Sequence, residues 1–229
     1  MRPALLLLHG ALGAADQLAP LAERLAGAFD VHRLDFEGHG PLAPPARPMA
    51  MAAFADAVRD HVGARGLAPA RVFGYSMGGY AALLCARRHP GTIARLMTLG
   101  TKLAWTPEVA AREGGFLDAT RLRERAPGFA AQLAARHGEP GWTALLDATR
   151  AMLHDLGAAP ALGPDDWPHI ACPVRLAVGD RDATVTLDET AAAFRALPQG
   201  ELEVVPATPH PLERVDLDRL AASIAAFMA

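Results

Sequence analysis

A serine stands between two glycines in Gly74-Tyr75-Ser76-Met77-Gly78, where the apolar stretch Ala70-Arg71-Val72-Phe73 gives way to an Ala/Leu-rich run from Gly79 to His89. A G-x-S-x-G pentapeptide at a strand–turn–helix junction is the sequence sign of a nucleophile elbow. A serine on so sharp a turn holds its hydroxyl beyond the end of a sheet. Gly74 and Gly78 let strand and helix backbones approach without Cβ clashes. The competing use is a glycine-rich turn whose serine caps the following helix. Near neutral pH a serine hydroxyl is a weak nucleophile. It needs a base within hydrogen-bond reach, and the base needs an orienting acid.

In open α/β sheets, functional groups gather at the carboxyl ends of the strands. That rule directs the search for partners. His210, in Thr208-Pro209-His210-Pro211-Leu212, directly follows the last strand-like run and is the candidate base; the alternative is an exposed loop histidine. His9 also sits at a strand end and reads as part of a backbone turn, and His39 as a loop residue flanked by glycines. The acid should come from Gly179-Asp180-Arg181-Asp182. Asp182 is preferred because it lies further from the strand, where a loop can turn back toward His210, and Asp180 is the alternative. Acyl transfer also needs two N–H groups aimed at the oxygen that becomes negative. Met77, at the start of the helix, offers one. Ala11, in His9-Gly10-Ala11-Leu12-Gly13, offers the other, with Gly10 and Gly13 letting that chain bend inward.

These residues need a scaffold, and the rest of the chain supplies its pattern. Apolar runs near residues 4–8, 31–34, 70–73, 93–99, 172–178 and 201–205 read as about six strands. They alternate with helical segments near 16–26, 49–64, 79–89, 187–197 and 211–227, which implies a mostly parallel, doubly wound sheet. Four prolines between Pro41 and Pro48 exclude helix or central strand there. Residues 101–168 change character: they contain no convincing strand, their helical pieces are broken by glycine and proline, and all three tryptophans fall here. This stretch reads as a helical cap inserted between two core segments, 1–100 and 169–229. Trp105, Trp142, Phe116 and Phe129 are candidates to line an apolar acyl pocket, or else simply pack the cap helices on the sheet. An Ala/Leu stripe on those helices is equally a self-association face or the contact with the sheet.

Composition narrows the function. The 229 residues are 51% hydrophobic and 21% charged, with a net charge of −3, so no basic excess favours nucleic acid or an anionic membrane. Two isolated cysteines suit a reducing, cytoplasmic setting rather than a disulfide framework. The opening apolar run resembles a secretion signal, but it is short, His9-Gly10 interrupts it, and the fold needs it as a core strand. Nine scattered histidines make no metal motif, and there is no G-x-G-x-x-G or Walker pattern, so neither a metal nor a cofactor is implied.

In order along the chain, Leu8-His9-Gly10, Asp35-Phe36-Glu37-Gly38-His39-Gly40, Gly74-Tyr75-Ser76-Met77-Gly78-Gly79, Gly179-Asp180-Arg181-Asp182 and His210 resemble the landmarks of the α/β-hydrolase fold family. The resemblance covers nearly the whole chain. It implies Ser76 as nucleophile, Asp182 as acid, His210 as base, and the N–H groups of Ala11 and Met77 as oxyanion hole. It implies hydrolysis of a small ester, thioester or amide. The chain departs from the pattern in starting at the strand before His9, without the antiparallel strands that often open this fold. It also carries Pro209-His210 where the family usually has Gly-His. The elbow is also similar to that of the pyruvate-eliminating synthase of menaquinone biosynthesis, but that family is expected to carry arginine where this chain has Tyr80. Arg121, Arg123 or Arg125 could replace it in binding a carboxylate. A third reading is a small-molecule binding protein without turnover.

Overall fold

A computed structural model describes residues 2–229. Six strands form one sheet: β1 (Ala4–Leu8), β2 (Asp30–Leu34), β3 (Ala70–Tyr75), β4 (Ile93–Leu99), β5 (Val174–Gly179) and β6 (Gly200–Val205). Their order is β2-β1-β3-β4-β5-β6, and every pairing is parallel. A parallel sheet must be covered on both faces, so its central strands are mostly apolar rather than alternating, and only the edge strands β2 and β6 carry several charged residues. β1 shows this most plainly. Leu5 and Leu7 join a core with α1 (Ala19–Leu25) and α9 (Leu217–Met228) on one face. Leu6 and Leu8 join the other core, with α2 (Met51–Ala64), α3 (Met77–Arg88) and α8 (Leu187–Ala196). All four leucines have no exposed surface.

Strand order reverses at β1 and β3, which lie side by side. Loops leaving neighbouring strands on either side of such a reversal diverge and open a crevice. The loop after β1 and the turn after β3 therefore meet at one place, before any side chain is considered.

Between β4 and β5 the chain forms α4 (Pro107–Gly114), α5 (Ala119–Arg125), α6 (Pro127–His137) and α7 (Gly141–Ala158), with no strand. Trp142, Ala130, Leu133 and Leu146 make a small core within these helices. Leu145, Met152 and Leu156 of α7 also enter the larger core over α2 and α3. The segment is thus seated on the sheet by its longest helix.

Several boundaries differ from the sequence reading. Residues 15–18 form a 3-10 turn and α1 starts only at Ala19, because Pro20 occupies its first turn, where a missing N–H costs nothing. The proline-rich stretch contains one 3-10 turn, Gly40–Leu42, with Pro41 likewise at its start. The last helix does not begin at Pro211. A 3-10 turn covers Leu212–Arg214, and Asp216 then caps α9 by accepting from the N–H groups of Asp218 and Arg219. Among the described residues no helix is long and apolar enough to cross a membrane.

One close approach ties the loops after β5 and β6 together. A Cβ on Gly179 would lie 1.9 Å from the carbonyl oxygen of Thr208, while one on Gly27 would meet nothing within 4 Å. Gly179→Ala is therefore expected to destabilise the fold by about 1–3 kcal/mol or more, and Gly27→Ala to be close to neutral. Denaturant midpoints measure the difference; equal midpoints for the two variants would contradict the packing described.

Candidate active site

Ser76 joins β3 to α3 with φ 50 and ψ −116, an unfavourable conformation for a residue with a Cβ. Such strain costs on the order of 1–3 kcal/mol and persists only where the surroundings enforce it. Here the Ser76 N–H donates to the Leu99 carbonyl at 2.9 Å. Its own carbonyl accepts from Thr101 Oγ1 at 3.0 Å and from the N–H groups of Gly79 and Tyr80. Glycines give the backbone room. A Cβ on Gly74 would lie 2.5 Å from Gly79, and one on Gly78 would lie 2.6 Å from the His9 carbonyl oxygen.

Ser76 Oγ lies 3.3 Å from His210 Nε2, at the long end of hydrogen-bond reach, as is common before a substrate tightens a site. His210 Nδ1 lies 2.8 Å from Asp182 Oδ2. A carboxylate only accepts, so Nδ1 carries the proton and Nε2 is left free to face the serine. The other oxygen of Asp182 accepts from the N–H groups of Thr184 and Val185, both at 2.8 Å. Burial by itself would raise the Asp182 carboxyl. The His210 contact and those two amides outweigh it and hold the group below its ordinary value. Asp182 is thus ionised, with a side chain only 2% exposed. Asp180 is placed elsewhere: exposed, with Oδ1 accepting from the Thr208 N–H at 3.2 Å, and so bracing one loop against the next.

Ala11 sits in a turn closed by the Gly13 N–H donating to the Gly10 carbonyl at 3.1 Å. That carbonyl also faces His9 Nδ1 at 2.8 Å. His9 Nε2 accepts from the Phe36 N–H, which fixes the proton on Nδ1. A trans peptide points its N–H opposite its carbonyl, so this pair of bonds turns the Ala11 N–H away from His9. Met77 opens α3, where the first amides lack a carbonyl partner in their own helix. Neither amide donates to a group among the described residues.

Ala11, Ser76, Met77 and His210 all border one cavity of about 760 Å³. Its walls are mostly apolar and include Trp105, Phe116 and Phe129 as well as Tyr80 and Met152. Phe116 and Phe129 are exposed at its rim, at 66% and 42%. Trp142 is a correction to the pocket expected from sequence. It does not border the cavity but is buried in the helical segment's own core, with Nε1 bonded to Glu139 and Arg123 stacked 4.7 Å above its ring. Its aromatic type was legible, but its direction on the helix was not.

His39 lies in a loop between glycines, as the sequence indicates, and that loop is buried. His39 and His9 have no exposed surface, and their ring centroids lie 4.9 Å apart. Burial lowers His9 from 6.5 to about 4, and burial together with the adjacent His9 holds His39 well below its ordinary value. Among the described residues no group of three His, Cys, Asp or Glu side chains is arranged to hold a metal.

Other supporting residues escaped the sequence reading. A Cβ on Gly100 (φ +60) would press on Asp182 and His210 at 3.1 and 3.3 Å, so this glycine makes room for both side chains. Tyr75 donates its hydroxyl to the His210 carbonyl at 2.8 Å. Tyr75 precedes Ser76 and Gly100 follows the end of β4, and those positions at strand ends were the available signal.

A model described as the alpha/beta hydrolase family matches residues 5–222, and the chain belongs to that family. A pimeloyl-[acyl-carrier protein] methyl ester esterase of Chromobacterium violaceum is 40% identical over 99 residues, 43% of this chain and 37% of that protein. Its counterpart in Xanthomonas campestris is 38% identical over 104 residues, again 43% and 37%. The chain thus matches little more than a third of these curated relatives' length. Among solved structures, an enol-lactonase from Burkholderia xenovorans superposes with a TM-score of 0.78 at 21% identity, covering 100% of this chain and 92% of that one. An esterase from Thermogutta terrifontis gives 0.78 at 24% identity, covering 99% and 89%. At these identities the structures show a shared fold.

The buried histidines set a pH dependence of stability. The unfolded chain binds protons at His9 from about pH 6.5 downward, whereas the folded chain resists until about pH 4. Stability is therefore expected to fall as pH drops through that window, by about 3 kcal/mol from His9 alone. Denaturant titrations at pH 7, 5.5 and 4.5 measure it; a flat stability across this range would contradict the burial of neutral imidazoles.

Proposed function

Taking membership of that family as the premise, we propose that this chain is a serine hydrolase acting on a carboxylic ester with an apolar acyl part. The observation that carries the reading is the contact series Ser76 Oγ, His210 Nε2, His210 Nδ1 and Asp182 Oδ2, whose serine and histidine border a mostly apolar cavity. Ser76 attacks the ester carbonyl while His210 Nε2 takes its proton. The N–H groups of Ala11 and Met77 receive the developing oxyanion, and the start of α3 adds a favourable dipole. His210 returns its proton to the departing alcohol, leaving an acyl group on Ser76. Water, deprotonated by the same imidazole, then releases the acid. Asp182 keeps Nδ1 protonated and stabilises the imidazolium without itself taking the proton.

The helices between β4 and β5 act as the cap and supply the acyl-binding walls. The relatives' names support an ester, and a methyl ester of a medium-length acyl chain belongs in the first substrate panel. The residues that the sequence offered for the lyase reading are not placed to serve it. Tyr80 stands where that family is expected to have arginine, and its hydroxyl, pushed up to about 12 by burial, accepts from the Leu162 N–H. Arg121, Arg123 and Arg125 do not border the cavity.

A fluorophosphonate probe tests the reading, with adduct mapping by mass spectrometry. The expected adduct is on Ser76 and is lost in Ser76→Ala and His210→Ala. Asp182→Asn is expected to slow labelling and ester turnover by on the order of 10³-fold or more, and Asp180→Asn by less than about tenfold. An adduct that persists in Ser76→Ala would overturn the reading, and the reverse ranking of the aspartates would move the acid to Asp180.

A further inference from the structure

His137 is the last residue of α6, yet its ring turns inward against the loop after β1. It is 5% exposed. The Gly40 N–H donates to Nδ1 at 2.8 Å, and Nε2 lies 2.9 Å from the Leu12 carbonyl oxygen. An N–H donor on Nδ1 leaves the ring's proton on Nε2, so His137 is neutral and donates to Leu12. Both nitrogens are used, and the ring cannot turn without losing one bond. Burial lowers its pKa, consistent with a neutral ring.

What it holds matters more than how well it is held. Leu12 is one of the few residues other than glycine with positive φ, at 60. It directly follows Ala11 in the turn between Gly10 and Gly13. His9 pins the carbonyl at the near end of that turn, and His137 pins the carbonyl at the far end. Next to His137, Arg136 pairs with Asp16 at 3.1 Å, a second grip by α6 on the loop after β1. Asp35 ties the same loop from below, with Oδ1 accepting from the Ala15 N–H.

We infer that His137 is a positioning residue that sets the turn carrying the Ala11 N–H and makes its geometry depend on the seating of the helical segment over the sheet. The inference rests on the serine-hydrolase reading. A misplacement of about 1 Å in such a site costs on the order of 100-fold in rate, so one hydrogen bond at this point has leverage beyond its contribution to folding.

Two near-isosteric variants separate positioning from packing. In His137→Gln the side-chain amide nitrogen falls near Nε2 and keeps the bond to Leu12. In His137→Asn the carbonyl oxygen falls near Nδ1, keeping the bond from Gly40 and losing the one to Leu12. The readouts are kcat on p-nitrophenyl butyrate, the rate of fluorophosphonate labelling, and inhibition by an alkyl trifluoromethyl ketone against the methyl ketone of the same chain length. His137→Asn is expected to lose about 10- to 100-fold in kcat, labelling and trifluoromethyl ketone affinity, with methyl ketone affinity unchanged. His137→Gln should stay within about threefold of wild type on all four. The inference is overturned if the two variants fall together, if neither falls, or if both ketones weaken in parallel. A wild-type chain that takes up no probe at Ser76 overturns the hydrolase reading itself, a result distinct from any of these.

Discussion

The close approach of α3 to the ends of β1 and β3 is the constraint on which the rest of the structure depends. A single residue separates the end of the strand from the start of the helix, which is possible only with Ser76 at φ 50 and with Gly74 and Gly78 leaving no Cβ between the backbones. The conformation is costly, and the cost is met by four hydrogen bonds on the two backbone groups of one residue. The result is a serine hydroxyl, a helix N-terminus and the loop after β1 at a single point. A conventional strand-to-helix loop would be cheaper to fold and would separate all three.

From that point the site extends outward through loops at the same edge of the sheet. β4 is followed by Gly100, whose missing side chain leaves space for Asp182 and His210 from the loops after β5 and β6. Those loops are in turn fixed to one another by the Gly179–Thr208 contact and by Asp180. The Gly10 to Gly13 turn is held by His9 within its own layer and by His137 from the helices above. Precision in the site therefore comes from backbone crowding and buried neutral imidazoles more than from ion pairs. Some exposed ion pairs, such as Arg24–Asp218, lie away from it and contribute little, while Arg136–Asp16 adds to the hold on the loop after β1.

Much of this was legible in the sequence because the signals are local. A serine between glycines at a change from apolar run to helix announces the elbow. Parallel-sheet topology then restricts partners to strand ends, which is how His210 and the Asp180/Asp182 pair come into view. What could not be read depends on contacts between distant residues. His137 and Leu12 are 125 positions apart, and nothing in the pattern of α6 marks its terminal histidine as inward-facing. Trp142 shows the converse: residue type suggested a pocket wall, while helix direction turned the ring into a local core. His39 falls in the glycine-flanked loop that the sequence indicates, but its burial, where Gly38 and Gly40 let the loop pass close to its neighbours, has no local signal.

The most direct test is a crystal structure of the chain with Ser76 phosphonylated. The account predicts a phosphoryl oxygen about 2.7–3.1 Å from the backbone nitrogens of both Ala11 and Met77, with the alkyl chain running between Trp105 and Met152. An oxygen directed toward solvent, with neither amide in reach, would contradict the claim that the strained turn and the loop after β1 together form the reactive centre.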